Sequence, residues 1–567
     1  MKRVKKKTKH KRSALKDTAI SGERRGFGLN YGDNGASNAL SNAAKFLSEG
    51  DPYYSFELCQ NILSQDPQNP TALNLAGVSA FQVGLLEESL NLLEIAVYFE
   101  PDNPEFQTNL GNVLSKLGRN DDAIAAYKKA MTSNPSYIES FFNYGLLAES
   151  LNRLDDAATA LCKTTKINPR HSPAWHALGN VYKALERLED AKTAYQKAIN
   201  ITPKSAIART NLASILHELG SFKKAKEECK AAIKIAPDLY EAKYNLGIVL
   251  QELEEHEKAI KCYEDVLLAK PNHAAAAMNV AYSHQQLGNL ETAALKFAQA
   301  TRIDPSFAQA HANLADLSLQ QGQPENALAI CNEFLSRFPG NTTLLAFKGI
   351  ALCDAGQTKS ANELFNFKIL LKKQYVEIPK NYSCLHVFNT ALKKQILAHP
   401  TLTPSPQSHA TRKGLHSGEL LNQKNSPFTD FESIVWNAVE NYKEKINKFP
   451  KHPLSLKISR KLRLSAWGVV MTRSSHQIPH IHPSAWISGV YYVKVPKFNE
   501  KNRAESPGAI VFNKAPAHFH NNNEVKTFTV KPEEGLLILF PSYFYHHTVP
   551  FETNEKRISI AFDLIPL

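Results

Sequence analysis

The sequence predicts an α-solenoid followed by an all-β domain with flanking helices. Three observations lead there. A proline recurs every 34 residues, at 67, 101, 135, 169, 203, 237, 271, 305 and 339. The period stops near residue 375, and from about Leu454 onward apolar residues alternate singly, as in short strands, between Gly, Pro and Asn turns. At the mouth of one such strand stand two histidines two residues apart, His480 and His482. At 567 residues the chain is too long for one compact core. We expect a basic tail at 1–35, about ten repeats at 36–375 and a β domain at 376–567.

The first twelve residues, MKRVKKKTKHKR, hold eight Lys or Arg and no acid; without them the formal net charge falls from +13 to +5. Such a run repels itself and buries nothing, so it reads as disordered. It suits nucleic acid, an anionic surface or an acidic partner, or is merely solvated. Seven cysteines lie scattered with no CxxC pair, no apolar run looks like a secretory signal, and none reaches transmembrane length. A reducing, cytoplasmic setting is expected.

Within the periodic region the side chain ten residues after each proline is Gly or Ala, as at Gly77, Gly111, Gly179, Gly247 and Gly349. Twenty-two residues after each it is Ser or Ala, as at Ser89, Ala123 and Ala191. Two helices that cross closely need small residues at the crossing, and a proline ends the second helix. The pattern resembles the tetratricopeptide repeat. The resemblance implies stacked helix pairs with a concave face lined by each first helix, and a peptide or protein bound there. Asn109, Asn143, Asn211, Asn245, Asn279 and Asn313 recur on that helix. This ladder resembles the peptide-binding solenoid of O-linked N-acetylglucosamine transferases, each amide offering a donor and an acceptor to a peptide backbone. The alternative is packing, because Asn is common at this position of such repeats.

After residue 376, FNTALKKQILAHP and FTDFESIVWNAVENYKEKINKFP have helical spacing, separated by a polar loop rich in Pro, Ser and Gly. The strands follow. Residues i and i+2 of a strand share a face, so His480 and His482 can converge on a metal. His546 and then Arg557-Ile558-Ser559 come later. His416, His452 and His476 read as ordinary histidines. A rival pair, His518 and His520 in HFHNNN, reads as exposed loop.

Together HIHPSAWISGVYYV, FPSYFYHHTVP and RISIAF resemble the double-stranded β-helix, a jelly-roll or cupin-like fold, of iron(II)- and 2-oxoglutarate-dependent oxygenases. The likeness covers roughly 377–567 and is greatest to a branch in which His-x-His replaces the usual His-x-Asp/Glu. It implies Fe(II) as metal and 2-oxoglutarate as cosubstrate. His480, His482 and His546 fall at the ligand positions, with His547 facing away. Arg557 would pair with the distal carboxylate of 2-oxoglutarate and Ser559 would add a hydrogen bond. Tyr491 or Tyr492 supplies another, since alternation turns only one inward. The departure is the third histidine: either His482 ligates, or Asp563 or Glu524 brings a carboxylate, or the site binds metal without turnover. The expected activity is hydroxylation of a peptide or protein presented by the solenoid. The alternatives are an interaction scaffold with a non-catalytic or metal-stabilised β domain, and a three-histidine dioxygenase that uses no 2-oxoglutarate and leaves Arg557 unexplained. Because the period stops abruptly, two separate cores are expected, with 377–567 folding alone.

Overall fold

The computed structural model describes residues 33–406, 410–422, 426–456, 459, 461–497, 506–519 and 526–567. The basic run at 1–12, Glu524 and His520 lie outside the described residues. The chain divides into two compact units, 1–236 and 237–567. No helix among the described residues is long and apolar enough to cross a membrane.

The first unit is a stack of six helix pairs, from Asp33–Ser48 and Pro52–Gln65 to Ala206–Glu218 and Phe222–Ile235. Local chemistry starts and stops each helix. Asn103 caps Pro104–Lys116 by accepting from Glu105 N at 3.0 Å, and Pro104 sits where no intrahelical N–H is needed. The same helix leaves through Gly118, at φ +77°, a left-handed turn that costs glycine little. The predicted small positions are where paired helices meet. A methyl group on Gly111 or Gly179 would lie 2.6 Å from the ring of Tyr127 or Tyr195. Those two hydroxyls donate to Asn112 Oδ1 at 2.8 Å and Asn180 Oδ1 at 2.7 Å.

The second unit begins with four more pairs, from Tyr240–Glu252 and His256–Ala269 to Thr342–Asp354 and Thr358–Leu364. The last helix has only 7 residues. The chain then turns through Phe367–Leu370 and enters a sheet, so the final repeat is cut short of the expected 375.

The strands are β1 (Lys372–Tyr375), β2 (Thr403–Pro404), β3 (Thr411–Arg412), β4 (Leu415–Glu419), β5 (Leu462–Met471), β6 (His476–Gln477), β7 (Ile487–Lys494), β8 (Ile510–Phe512), β9 (Phe528–Val530), β10 (Leu536–Pro541), β11 (His546–Thr548) and β12 (Arg557–Pro566). Seven form one antiparallel sheet in the order β1-β10-β7-β12-β5-β4-β2. A three-stranded sheet, β11-β8-β9, and the β3-β6 ribbon complete a jelly-roll-like domain. Helices Leu385–Leu397 and Pro427–Ile446 cover the outer face of the large sheet, where Phe431 meets Tyr491 and Phe562 at ring distances of 5.6 and 6.0 Å. The opposite face of the same strands lines a cavity.

Within this unit the largest apolar cluster spans the last helix pairs and the β domain, where the sequence suggested two separate cores. A continuous apolar cluster runs from Ala312, on helix Ala308–Gln320, to Leu564 on β12. Phe365 packs on Phe544 at 5.5 Å, and Phe367 stacks on Phe528 at 5.2 Å. Tyr543 donates to Leu364 O at 2.8 Å, and Thr342 to Ala485 O at 3.0 Å. The helix pairs stop at Leu364 and the chain becomes a strand at Lys372, while burial continues across the change.

Candidate metal centre

His480 and His482 lie between β6 and β7, outside any long strand, and main-chain bonds hold them in place. His480 and His546 exchange N–H···O bonds of 3.1 and 3.0 Å, and His482 N donates to Ser542 O at 3.1 Å. The three side chains bring ligand-capable nitrogens within 4.8 Å of one another, the only such group among the described residues.

The hydrogen bonds decide which nitrogen of each ring is available. His480 Nδ1 is 2.8 Å from Ile478 O and His546 Nδ1 is 3.0 Å from Phe544 O. A carbonyl oxygen only accepts, so both Nδ1 atoms carry the proton and Nε2 keeps its lone pair. His482 Nδ1 is 2.9 Å from Asp563 Oδ2 and donates in the same way. Burial and the neighbouring imidazoles push His480 down to about 3 and His546 well below its usual range, so both are neutral. Imidazoles with Nε2 unprotonated are the form that binds a divalent transition metal, and a three-histidine donor set fits iron(II). Asp563 is outside the group of clustered ligand atoms. Its other oxygen accepts from Ser488 Oγ at 2.6 Å. Trp467 lies under His482 with the rings 5.9 Å apart at 23°.

The histidines open on a cavity of about 390 Å³, walled by Trp467, Val469, Val490, Ile510, Phe540 and Ala561 among others. Arg557 and Ser559 also line it. Arg557 is 2% exposed. Its Nη1 donates to Gly508 O at 3.0 Å and approaches Met471 Sδ at 3.8 Å, and its guanidinium lies 5.1 Å from the Tyr492 ring. Its Nε has no partner, and neither has the buried Tyr492 hydroxyl. Burial lowers the pKa of Arg557 from its ordinary value while Tyr492 opposes the change. Of the two tyrosines, Tyr491 turns outward and donates to Asn389 Oδ1 at 2.6 Å, so it is not a cavity residue.

The remaining histidines separate. His518 is exposed and reaches Asp316 on helix Ala308–Gln320 at 3.7 Å, away from the three-histidine group. His452 accepts from Leu454 N at 3.2 Å, and His476 lies 3.2 Å from Ser474 O. His416, expected to be ordinary, lines the cavity and contacts Thr411 Oγ1 at 2.6 Å. His547, expected to face away, is buried on β11 and is not among the cavity-lining residues. Asp563, expected as a possible metal ligand, is instead the partner of His482 Nδ1, and alternation along β5 would have found Ser465, Trp467 and Val469, which the sequence reading missed.

The asparagines are half-buried and their donors are largely spent between neighbouring repeats. In the first unit Asn109 donates to Asn74 Oδ1 at 2.9 Å, Asn143 to Asn112 Oδ1 at 2.9 Å, and Asn211 to Asn180 Oδ1 at 3.3 Å. In the second, Asn279 donates to the Tyr244 hydroxyl at 3.3 Å and Asn313 accepts from Gln309 at 2.8 Å. Asn245 is half-buried on helix Tyr240–Glu252.

A family described as "Putative 2OG-Fe(II) oxygenase" matches residues 465–563, which hold all three histidines, Arg557 and Ser559. Tetratricopeptide-repeat families match 108–172, 179–220, 206–239, 244–306 and 281–342. These matches mark tetratricopeptide repeats followed by a C-terminal domain similar to the 2OG-Fe(II) oxygenase family. Similar solved structures are repeat proteins. YrrB, described as a TPR protein with an unusual peptide-binding site, is 24% identical over 33% of this chain and 96% of its own, with a TM-score of 0.30. The C-terminal part of a TPR repeat-containing protein from Cytophaga hutchinsonii is 15% identical over 42% and 99%, at 0.36. The APC/C assembly Cut9–Hcn1 is 15% identical over 57% and 67%, at 0.35. No curated protein matches the chain. For the oxygenase-family domain, the family description implies iron(II) and 2-oxoglutarate, and the histidine group is compatible with the metal.

Proposed function

We propose that the C-terminal domain is an iron(II)- and 2-oxoglutarate-dependent oxygenase that hydroxylates a peptide or protein held by the repeats. The observation that carries this is Arg557. A guanidinium that is 2% exposed, with an unpartnered Nε, needs an anion to complete it, and among the described residues no carboxylate is hydrogen-bonded to it. A dicarboxylate that reaches both the imidazoles and Arg557 satisfies the metal centre and the buried cation together.

In this reading His480, His482 and His546 hold the metal through Nε2. Arg557 and Ser559 hold the far carboxylate, with the Tyr492 hydroxyl beside them. Trp467, Val469, Val490, Ile510, Phe540 and Ala561 keep the cavity largely apolar and exclude water. When bound, iron(II) with 2-oxoglutarate and dioxygen supplies the hydroxylating chemistry, and the cosubstrate leaves as succinate and carbon dioxide. The substrate class rests on the repeats, an architecture whose extended surfaces bind peptides and proteins.

The test pairs two measurements. Aerobic succinate formation from 2-oxoglutarate with iron(II) should occur and rise with a true peptide substrate. Anaerobic calorimetry should show 2-oxoglutarate binding to metal-loaded wild type and, for Arg557→Ala, at least about a hundredfold weaker binding, since an unpaired buried charge costs roughly 3–5 kcal/mol. Metal affinity should be unchanged in that variant. No binding by wild type, or equal binding by the variant, would remove 2-oxoglutarate from the assignment.

A further inference from the structure

We propose that Asp563 is the positioning residue that supplies, through His482, the negative charge that three imidazoles alone do not bring to the metal. The inference deepens the metal-binding part of the proposed function and rests on it.

The three histidines are not held alike. His480 and His546 each donate Nδ1–H to the carbonyl two residues before them, a neutral dipole. His482 donates to a carboxylate oxygen at 2.9 Å. That carboxylate is itself fixed: its second oxygen accepts from Ser488 at 2.6 Å, and the Ser488 hydroxyl lies 2.9 Å from that of Ser542. The Asp563 side chain is only 10% exposed, so water screens its charge weakly. An anion that accepts from one ring nitrogen raises the basicity of the other. The charge missing from the three imidazoles is therefore present one hydrogen bond further out, on Asp563.

The strand supports this arrangement. Asp563 is paired in register with Ser488 on β7 and Ser465 on β5, and it shares the inward face of β12 with Arg557 and Ser559. Six residues of extended chain separate Asp563 from Arg557 by roughly 20 Å, so the carboxylate serves the metal end and the guanidinium the far end without neutralising each other. Trp467, stacked 5.9 Å from His482, holds the ring plane against rotation.

The test is Asp563→Asn in the full-length protein. Its carbonyl oxygen can still accept from His482, so shape is kept and charge is lost. Co(II) is the probe, read by its absorption bands and by competition with a chelator. Binding should weaken by about tenfold to a hundredfold and the bands should shift, while Ser488→Ala, which keeps the charge, should change affinity less than threefold. A second measurement needs no variant. In Zn(II)-loaded wild type with labelled histidine, the Nδ1 proton of His482 should resonate downfield of those of His480 and His546. Wild-type affinity and bands in Asp563→Asn, or three like proton resonances, would overturn the proposal. If wild type binds no Co(II), the metal reading falls with it; if wild type binds and Asp563→Asn binds equally, only this inference falls.

Discussion

His546 is buried and His480 half-buried, both are held neutral, and this ties the stability of the metal-free protein to pH. The unfolded chain titrates these imidazoles near 6.5, whereas in the fold His480 is pushed down to about 3. As pH falls below about 6.5 the unfolded state takes up protons that the folded state refuses. Stability present above that pH is lost progressively down to the folded value, at up to about 1.4 kcal/mol per pH unit for one such group. Urea unfolding of the metal-free protein at pH 7.5 and 5.5 should show this loss, and His480→Gln should flatten the dependence. A slope that is unchanged by the substitution would place its source elsewhere. Bound metal should protect in the same window, because it binds only the neutral rings.

At the scale of the element, the repeats end each first helix in a left-handed residue, and the period is visible there too: Gly50, Gly84, Gly118, Asn152, Glu186 and Gly220 in the first unit, and Glu254, Gly288, Gly322 and Gly356 in the second. Glycine adopts this conformation freely, while a glutamate there meets its own Cβ. Glu186 and Glu254 stand at φ +57° and +58°. Glu186→Gly and Glu254→Gly should each stabilise the fold, by up to about 1 kcal/mol, read as a rise in the denaturation midpoint at constant m. A fall in the midpoint would mean that a side-chain contact outweighs the strain. The jelly-roll strands use glycine differently. A methyl on Gly489 would lie 2.2 Å from the Phe562 ring, so the small residue in SGVYYV is what lets β12 and β7 close.

At the scale of the whole molecule, the apolar cluster shared by the last helices and the sheet argues against the expectation that 377–567 folds by itself. Such a fragment lacks β1, which covers β10, and exposes Phe528, Tyr543 and Phe544 where Phe365 and Phe367 cover them. Uncovering several large apolar side chains forfeits on the order of 2 kcal/mol each, a large part of a domain's net stability. Residues 377–567 should be insoluble or molten, and 237–567, which follows the structural division, should unfold cooperatively. A soluble, cooperatively unfolding 377–567 would show that the helices are dispensable to the sheet.

The helix pairs were legible because each repeat contacts mainly its neighbours, so caps, crossings and turns recur as a one-dimensional pattern in the chain. Arg557 and Ser559 were legible because strand alternation along β12 fixes a face, whereas His480 and His482, outside any long strand, were legible only as a His-x-His motif. Alternation does not say which strands meet or in what register. Only the pairing of β12 with β7 and β5 turned Tyr492 inward and Tyr491 toward Asn389, and it brought Asp563 within reach of His482 across 81 residues of sequence. The same holds for the asparagines: their spacing could be read along the chain, but that Asn109 and Asn143 donate to Asn74 and Asn112 of the preceding repeat depends on how the helices stack. The sequence by itself determined the period, the faces and the ligand types. Tertiary structure decided the partners, because a hydrogen bond between distant residues is set by register and packing, which no local pattern encodes.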